Sequence, residues 1–183
     1  AGDGAFLARA RDAGFRPFGN ELAAGAVQLA HESYGITLEL GDLGTLHDVG
    51  GMDAVTMWCV LAHVNDGNRL LRDVHRILRP GGVLFLQTPR WSVMDRLGLA
   101  AHEVSGGRLT RLTDRRGSTH HVALHTGRSL RAVLDRAGYD VVAAEPRVRY
   151  SLDTVTYLTS LGLSSERAAR VARPIDVLLE RDL

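Results

Sequence analysis

The chain has 183 residues, the length of one domain, and its 45% hydrophobic and 23% charged residues are ordinary for a soluble globular protein. The formal net charge of +1 gives no strong field for nucleic acid or anionic lipid, so neither is expected as a partner. A single cysteine, Cys59, excludes a disulfide framework and favours the cytoplasm, and no apolar run reaches the roughly 18 residues of a membrane helix.

Short apolar runs alternate with helical periodicity along most of the chain, which predicts a parallel sheet with helices on both faces. In chain order the first elements are a helix at Ala5–Ala13, a strand at Phe15–Glu21, a helix at Ala23–Tyr34 and strands at Ile36–Gly41 and Met52–Val60. The next helix has Leu70, Val74, Ile77 and Leu78 on one face, ends at Arg79-Pro80-Gly81-Gly82 and precedes a buried strand at Val83–Thr88.

The segment Arg90–His125 interrupts this alternation with polar and glycine-rich stretches, and we interpret it as a lid or substrate-side excursion above the sheet. Regular elements then return: a helix from Thr126 or Gly127 to Ala137, a strand at Tyr139–Glu145, and helices at Asp153–Leu161 and Ser165–Leu179, the last kinked or split at Pro174. Residues 1–183 are therefore expected to form a single domain with a helical C-terminal segment, 147–183.

The chain opens on Ala1-Gly2-Asp3-Gly4, a glycine-rich turn before a helix that would let a ligand approach the backbone closely. Glu21 follows Gly4 by 17 residues, at the end of the next predicted strand. An acidic side chain at about this spacing grips the two hydroxyls of a ribose in nucleotide-binding folds. The alternative is a surface turn followed by a carboxylate at a helix N-terminus, which we consider less well supported.

Asp42 follows Gly41 at the end of the strand predicted at Ile36–Gly41. Its carboxylate can accept a hydrogen bond from an adenine amine while Leu43 covers a face of the ring. An aspartate that only shapes a turn after glycine is equally expected there.

Taken in order, these segments together with Asp53-Ala54-Val55-Thr56 and Val60-Leu61-Ala62-His63-Val64 resemble class I S-adenosylmethionine-dependent methyltransferases. The branch in question includes ubiquinone-biosynthesis O-methyltransferases and bacterial natural-product methyltransferases. The resemblance runs from Ala1 to about Glu145, and its strongest single feature is Arg79-Pro80-Gly81-Gly82 before a buried strand. It implies an α/β fold of the Rossmann-like, doubly wound and mostly parallel kind.

The resemblance also implies that the first strand of the family, and the last one after Leu179, are absent from this chain. The first strand is central in the family's sheet. We therefore expect Phe15–Glu21 and Met52–Val60 to lie about two strand spacings apart, roughly 10 Å, without direct hydrogen bonds between them.

The family's cofactor roles fall on specific positions of this sequence. The resemblance implies that Gly2 and Gly4 border the methionine part of S-adenosylmethionine and that Glu21, with Leu22 beside it, holds the ribose. It further implies that Asp42 and Leu43 flank adenine and that Trp58 and Cys59 line the sulfonium end. S-adenosylhomocysteine would be the product.

A small-molecule acceptor reacting through oxygen or nitrogen would need a general base, and histidine suits neutral pH. The candidates are His63, just past the strand predicted at Met52–Val60, and His120 and His121, shortly before the helix predicted from Thr126 or Gly127. For His63, a role at a helix start, with a hydrogen bond to the backbone, is equally expected. Trp91 and Met94 are candidates for an apolar wall beside the acceptor. The sequence shows no compact cluster of metal ligands, since adjacent histidines on a strand point apart, so no metal is expected.

Two other functions stay open at this stage. A nicotinamide-dependent oxidoreductase is disfavoured because Leu7 stands where the third glycine of its fingerprint belongs. A non-catalytic, methyltransferase-like binding module is kept open by the missing strand and by Ala62, where the family often has glutamate.

Overall fold

The structure is a computed structural model that describes residues 1–91, 93–108, 121–146, 154–160 and 162–181. The chain divides into two compact units, one made of Ala1–Asp53 with Arg72–Val83 and the other of Ala54–Leu71 with Leu84–Leu183. The described helices are α1 (Ala5–Asp12), α2 (Ala24–Tyr34), α3 (Gly67–Ile77), α4 (Val93–Val104), α5 (Gly127–Arg136), α6 (Thr154–Ser160) and α7 (Ser165–Arg181). The strands are β1 (Asn20–Glu21), β2 (Glu39–Leu40), β3 (Met52–Trp58) and β4 (Leu78–Gln87), and 3-10 turns cover Leu43–Thr45 and Leu61–His63.

In the first unit, α1 and α2 pack with a short parallel sheet of β1 and β2. Asn20 lies opposite Glu39 and Glu21 opposite Leu40 in the register of these strands. The core beneath them consists of Leu7, Ala8, Ala30, Ile36 and Leu38, all buried. This packing places Glu21 at the carboxyl end of β1, the edge at which open α/β sheets bind ligands.

The other sheet consists of β3 and β4, which are hydrogen-bonded neighbours. The carbonyl oxygen of Met52, at the start of β3, lies 3.0 Å from the position that a Cβ on Gly82 of β4 would take. At their ends the backbone N–H of Cys59 donates to the carbonyl of Gln87 at 2.8 Å. Residue numbers rise in the same direction at both contacts, so the strands run parallel.

The six predicted helices form close to their predicted positions, because apolar periodicity and end signals are local features of the sequence. Helix α2 ends at Gly35, which adopts a φ of 61° that suits glycine. Helix α3 buries Leu71, Val74 and Ile77 on one face. Helix α5 begins with a capping box, in which the Thr126 and Ser129 side chains each accept from the other's backbone N–H.

The predicted strands are less accurate than the helices. Phe15–Glu21 is wrong in extent, because only Asn20 and Glu21 pair with β2 and Phe15 is 70% exposed. Tyr139–Glu145 is wrong as a strand, since its described residues form no ladder and Val142 is 92% exposed. An alternating apolar pattern needs a hydrogen-bonded neighbour to become a strand, and within the described residues β2 pairs with only the end of the first segment and no strand pairs with the second.

Two further predictions are corrected by β4 and α7. The Arg79-Pro80-Gly81-Gly82 segment lies inside β4 rather than between a helix and a strand, and Val83 and Phe85 are exposed on one face of β4. Pro174 lies within α7 and does not split it, while the predicted kink stays a prediction; the buried Ala168 and Ala172 lie on the helix, which packs against α6.

The predicted separation of Phe15–Glu21 from Met52–Val60 concerns β1 and β3, and the distance between them stays a prediction. Within the described residues β1 pairs with β2 and β3 with β4, and no ladder joins β1 to β3. A direct pairing would have overturned the topology. The single-domain organisation stays a prediction. In the part of the chain that the structure describes, no helix combines the length and apolarity needed to cross a membrane.

Candidate functional site

The Glu21 carboxylate lies against the glycine-rich turn in the first unit. Its Oε2 accepts hydrogen bonds from the amino group of Ala1 at 2.9 Å and from the backbone N–H of Gly2 at 2.8 Å. Its Oε1 accepts from the backbone N–H groups of Leu22 at 2.8 Å and Ala23 at 3.2 Å. We call Glu21, Ala1, Gly2, Leu22 and Ala23 the Glu21 cluster.

These donors keep the Glu21 carboxylate ionised. Burial alone would raise the pKa of Glu21, but hydrogen bonds from the backbone N–H groups of Gly2 and Ala23 lower it. A carboxylate has about four acceptor positions, and four N–H donors occupy them here. A ribose hydroxyl would therefore have to replace or share one of these donors.

The two glycines of the opening turn have different local surroundings. Both have positive φ, 62° at Gly2 and 81° at Gly4. A Cβ on Gly4 would lie 2.8 Å from the Cβ of Ala30, so Gly4 lets α1 pack on α2. A Cβ on Gly2 would meet nothing within 4 Å, so open space borders the Glu21 cluster.

This cluster fits the ribose of S-adenosylmethionine in its chemistry. It offers an ionised acceptor at the carboxyl end of β1, open space at Gly2, and the side chain of Leu22, which is 69% exposed. The predicted ribose role and the alternative role at a helix N-terminus are both compatible with it, since Ala23 is the N-cap of α2.

Asp42 and Leu43 follow the end of β2. The Oδ1 of Asp42 accepts a hydrogen bond from the backbone N–H of Gly44 at 2.7 Å and caps the 3-10 turn Leu43–Thr45. Leu43 is buried. The turn role that the sequence left open for Asp42 is thus present, and contact of both residues with adenine stays a prediction.

Trp58 and Cys59 lie at the end of β3 in the second unit. The indole of Trp58 packs against the ring of Phe85, with centroids 4.9 Å apart, and remains 47% exposed. Cys59 has a φ of 59°, and no other non-glycine among the described residues has a positive φ. Such a conformation is uncommon for a residue with a side chain and occurs often at functional sites.

Cys59, His63 and His121 come together and form a group that we call the Cys-His cluster. The Sγ of Cys59 lies 3.6 Å from the Nε2 of His63, and the rings of His63 and His121 have centroids 4.8 Å apart. One sulfur or nitrogen atom from each residue lies within 4.8 Å of the other two. Burial raises the pKa of the Cys59 thiol.

Backbone hydrogen bonds bring His121 to this position. The carbonyl of Ala62 accepts from the N–H of Val122 at 2.7 Å and from that of Ala123 at 3.3 Å. The predicted absence of a compact ligand cluster is therefore wrong in its geometry. The spacing of Cys59 and His63 across one turn was a signal in the sequence, whereas nothing local announced His121.

The remaining predicted residues lie elsewhere or outside the described part. His120 lies outside the described residues, as does the side chain of Met94, whose backbone belongs to α4. Trp91 donates its backbone N–H to the carbonyl of His125 at 2.9 Å, and Arg90 forms a parallel bridge with His125. These contacts join the two ends of the predicted excursion Arg90–His125, and its role as a lid stays a prediction.

The fold and the glycine-rich turn define a Rossmann-like α/β domain of the class I S-adenosylmethionine-dependent methyltransferase type, as predicted. The sequence profile of the methyltransferase domain family matches residues 1–144. The chain belongs to this family, whose cofactor is S-adenosylmethionine.

One curated protein is similar to a large part of this chain. The chain is 31% identical over 136 residues to an uncharacterized 37.1 kDa protein in transposon Tn4556 of Streptomyces fradiae, a match that covers 73% of this chain and 38% of that protein. The chain thus spans about two fifths of the length of this curated relative.

Solved structures share the fold at low identity. One is the complex between the Haloferax volcanii Trm112 methyltransferase activator and a methyltransferase, with a TM-score of 0.63 and 18% identity over 94% of this chain and 74% of the other. A second is an S-adenosylmethionine-dependent methyltransferase from Archaeoglobus fulgidus, with a TM-score of 0.57 and 16% identity over 100% and 77% of the two chains.

Proposed function

We propose that the protein transfers the methyl group of S-adenosylmethionine to an oxygen or nitrogen atom of a small-molecule acceptor. The family assignment supports methyl transfer, and the Glu21 cluster is the observation that carries the cofactor assignment. An acceptor from natural-product or other small-molecule biosynthesis and a cytoplasmic location are parts of the same proposal. The net charge of +1 favours a small molecule over nucleic acid or anionic lipid as the acceptor, and the single cysteine favours the reducing cytoplasm.

The first unit would hold the nucleoside of the cofactor. The ionised Glu21 carboxylate would accept hydrogen bonds from the ribose hydroxyls. Such bonds are stronger when the acceptor is an anion than when it is neutral. The exposed side chain of Leu22 offers an apolar surface beside it. The space at Gly2 allows a ligand to approach the backbone.

The second unit would serve the acceptor. The cofactor supplies a methyl group that is already activated by its sulfonium, so the protein mainly has to align the acceptor and remove its proton. His63 is exposed at the end of the turn Leu61–His63, and its imidazole or that of His121 is our candidate base. The exposed ring of Trp58 and the side chain of Trp91 are candidates for an apolar surface beside the acceptor.

Calorimetry on the complete protein tests the cofactor assignment. We expect S-adenosylhomocysteine to bind and a nicotinamide dinucleotide not to bind. Replacing Glu21 with alanine should weaken S-adenosylhomocysteine binding by about 1–3 kcal/mol, the value of lost charge-assisted hydrogen bonds. Glu39→Ala is the matched control, because Glu39 is an exposed carboxylate on β2, one residue out of register with Glu21.

The outcomes separate the competing functions. Equal affinity of the Glu21→Ala and Glu39→Ala variants would remove Glu21 from the cofactor site. Preferential binding of the dinucleotide would favour an oxidoreductase. Binding of S-adenosylhomocysteine, without transfer of a labelled methyl group to any acceptor in a small-molecule extract, would favour a non-catalytic module.

A further inference from the structure

The Cys-His cluster combines a thiol and two imidazoles, which is the ligand chemistry of zinc. Zinc prefers sulfur and nitrogen ligands in a tetrahedral arrangement, with bonds of about 2.3 Å to sulfur and about 2.0–2.1 Å to nitrogen. Hard ions such as magnesium and calcium instead take oxygen ligands, and the cluster offers none.

One of the distances within the cluster matches such a site, and the others are within about 1.5 Å of it. Tetrahedral angles with these bond lengths place sulfur and nitrogen about 3.6 Å apart and two nitrogens about 3.4 Å apart. The observed separation of Cys59 Sγ and His63 Nε2 is 3.6 Å, and no pair of candidate ligand atoms exceeds 4.8 Å. Binding of an ion would require one histidine side chain to move closer to the other two ligands.

The backbone holds the three residues in place from two directions. Cys59 is fixed at the end of β3 by its hydrogen bond to Gln87, and its left-handed conformation sets the direction of the turn toward His63. The hydrogen bonds of Val122 and Ala123 to the carbonyl of Ala62 hold the segment of His121 against that turn. Ligands held by backbone contacts lose little freedom when an ion binds.

We propose that Cys59, His63 and His121 bind a zinc-class divalent ion, with a fourth position left for water or for the heteroatom of an acceptor. Three protein ligands and one open position are typical of catalytic rather than structural zinc sites. The exposure of His63 gives the ion access from solvent. This proposal does not depend on methyl transfer, because binding of the ion needs no cofactor.

The ion would change the role of His63 in the proposed reaction. Its coordinating nitrogen cannot also accept a proton, so in the loaded protein His63 would be a ligand and not a base. A zinc ion held there would lower the pKa of a coordinated acceptor hydroxyl, whose proton would pass to solvent water through the exposed side of the site.

Zinc titration of the complete, untagged protein after removal of metal with a chelator tests this proposal. We expect one zinc ion per chain by calorimetry and by elemental analysis. Each of Cys59→Ser, His63→Gln and His121→Gln should weaken binding by more than about tenfold, since even losing an outer partner of a ligand costs about 10–100-fold. His31→Gln is the control, because His31 is an exposed histidine in the last turn of α2.

Cobalt provides a readout that does not depend on affinity. Cobalt bound to the protein should show the visible bands of tetrahedral coordination and a near-ultraviolet thiolate band that Cys59→Ser abolishes. Circular dichroism of each metal-free variant checks the fold, and His63→Gln, at an exposed position, decides the matter if another variant unfolds. Zinc affinity that is absent, or equal in His63→Gln and His31→Gln, would overturn the site.

Failure of this site and failure of the proposed function are distinguishable. Zinc binding is measured without S-adenosylmethionine, and S-adenosylhomocysteine binding is measured in metal-free protein. If the first is absent and the second present, the metal site is wrong and the methyltransferase proposal stands.

Discussion

Gly4 is a residue at which a single added methyl group should destabilise the fold in two ways at once. It is buried, has a φ of 81°, and its carbonyl accepts the hydrogen bond of Ala8 at 2.9 Å at the start of α1. A Cβ at this position would lie 2.8 Å from the Cβ of Ala30 and 3.4 Å from that of Ile36. Alanine therefore combines backbone strain with overpacking between α1 and α2.

The two effects can be given magnitudes. A residue with a side chain in the left-handed region costs about 1–2 kcal/mol. Overpacking a close contact costs about 1–3 kcal/mol more. Their sum of about 2–5 kcal/mol is a large part of the roughly 5–15 kcal/mol that stabilises a typical domain.

Gly2→Ala separates strain from overpacking. Gly2 also has a positive φ, 62°, but its Cβ would meet nothing within 4 Å, so only the strain of about 1–2 kcal/mol applies. Both variants gain equally from a stiffer unfolded chain. We expect Gly4→Ala to be less stable than Gly2→Ala by about 1–3 kcal/mol in urea unfolding followed by circular dichroism. Equal midpoints in urea would refute the packing argument.

Three smaller predictions follow from other contacts. Tyr139→Phe removes the hydrogen bond from the phenol to the Leu71 carbonyl and should cost about 0.5–1.5 kcal/mol in urea unfolding; because burial raises the pKa of Tyr139 to about 12, stability should also fall between pH 10 and 12 in the wild type but less in the variant. Thr126→Ala should lower the free energy of unfolding by about 0.5–2 kcal/mol in thermal unfolding, whereas Thr126→Ser keeps the oxygen that accepts from the Ser129 N–H and should leave it unchanged. Backbone hydrogen bonds lower the pKa of Glu21, so its carboxylate stabilises the folded state above the ordinary pKa of 4.5 and loses this contribution as the pH falls through the lowered pKa; Glu21→Gln should flatten the acid limb of the stability curve in urea unfolding.

The helices could be predicted because their signals are local. Gly35 ends α2, and Thr126 with Ser129 begins α5, at positions that the sequence marks directly. The strands could not be predicted as well, because a strand exists only where a neighbour pairs with it. Phe15 and Val142 lie in apolar segments that predict strands, yet among the described residues only the end of the Phe15 segment pairs with a neighbour, β2, and no ladder forms at Val142.

The two parts of the candidate site differ in the same way. Glu21 could be predicted because a fixed spacing from Gly4 places it at the carboxyl end of the neighbouring strand. The Cys-His cluster could be predicted only as far as His63, which is four residues from Cys59. His121 joins it through hydrogen bonds that end on the Ala62 carbonyl, and a backbone acceptor leaves no trace in the sequence.

Ala62 connects this cluster with the departure from the family pattern. Its side chain is fully buried, and its carbonyl receives the N–H groups of Val122 and Ala123. A glutamate at this position would bring a carboxylate into a buried place, where a charge is costly unless it is paired. The small side chain instead lets the backbone of the His121 segment approach closely. The departure from the family pattern thus falls at the position whose backbone carbonyl holds the His121 segment beside Cys59 and His63.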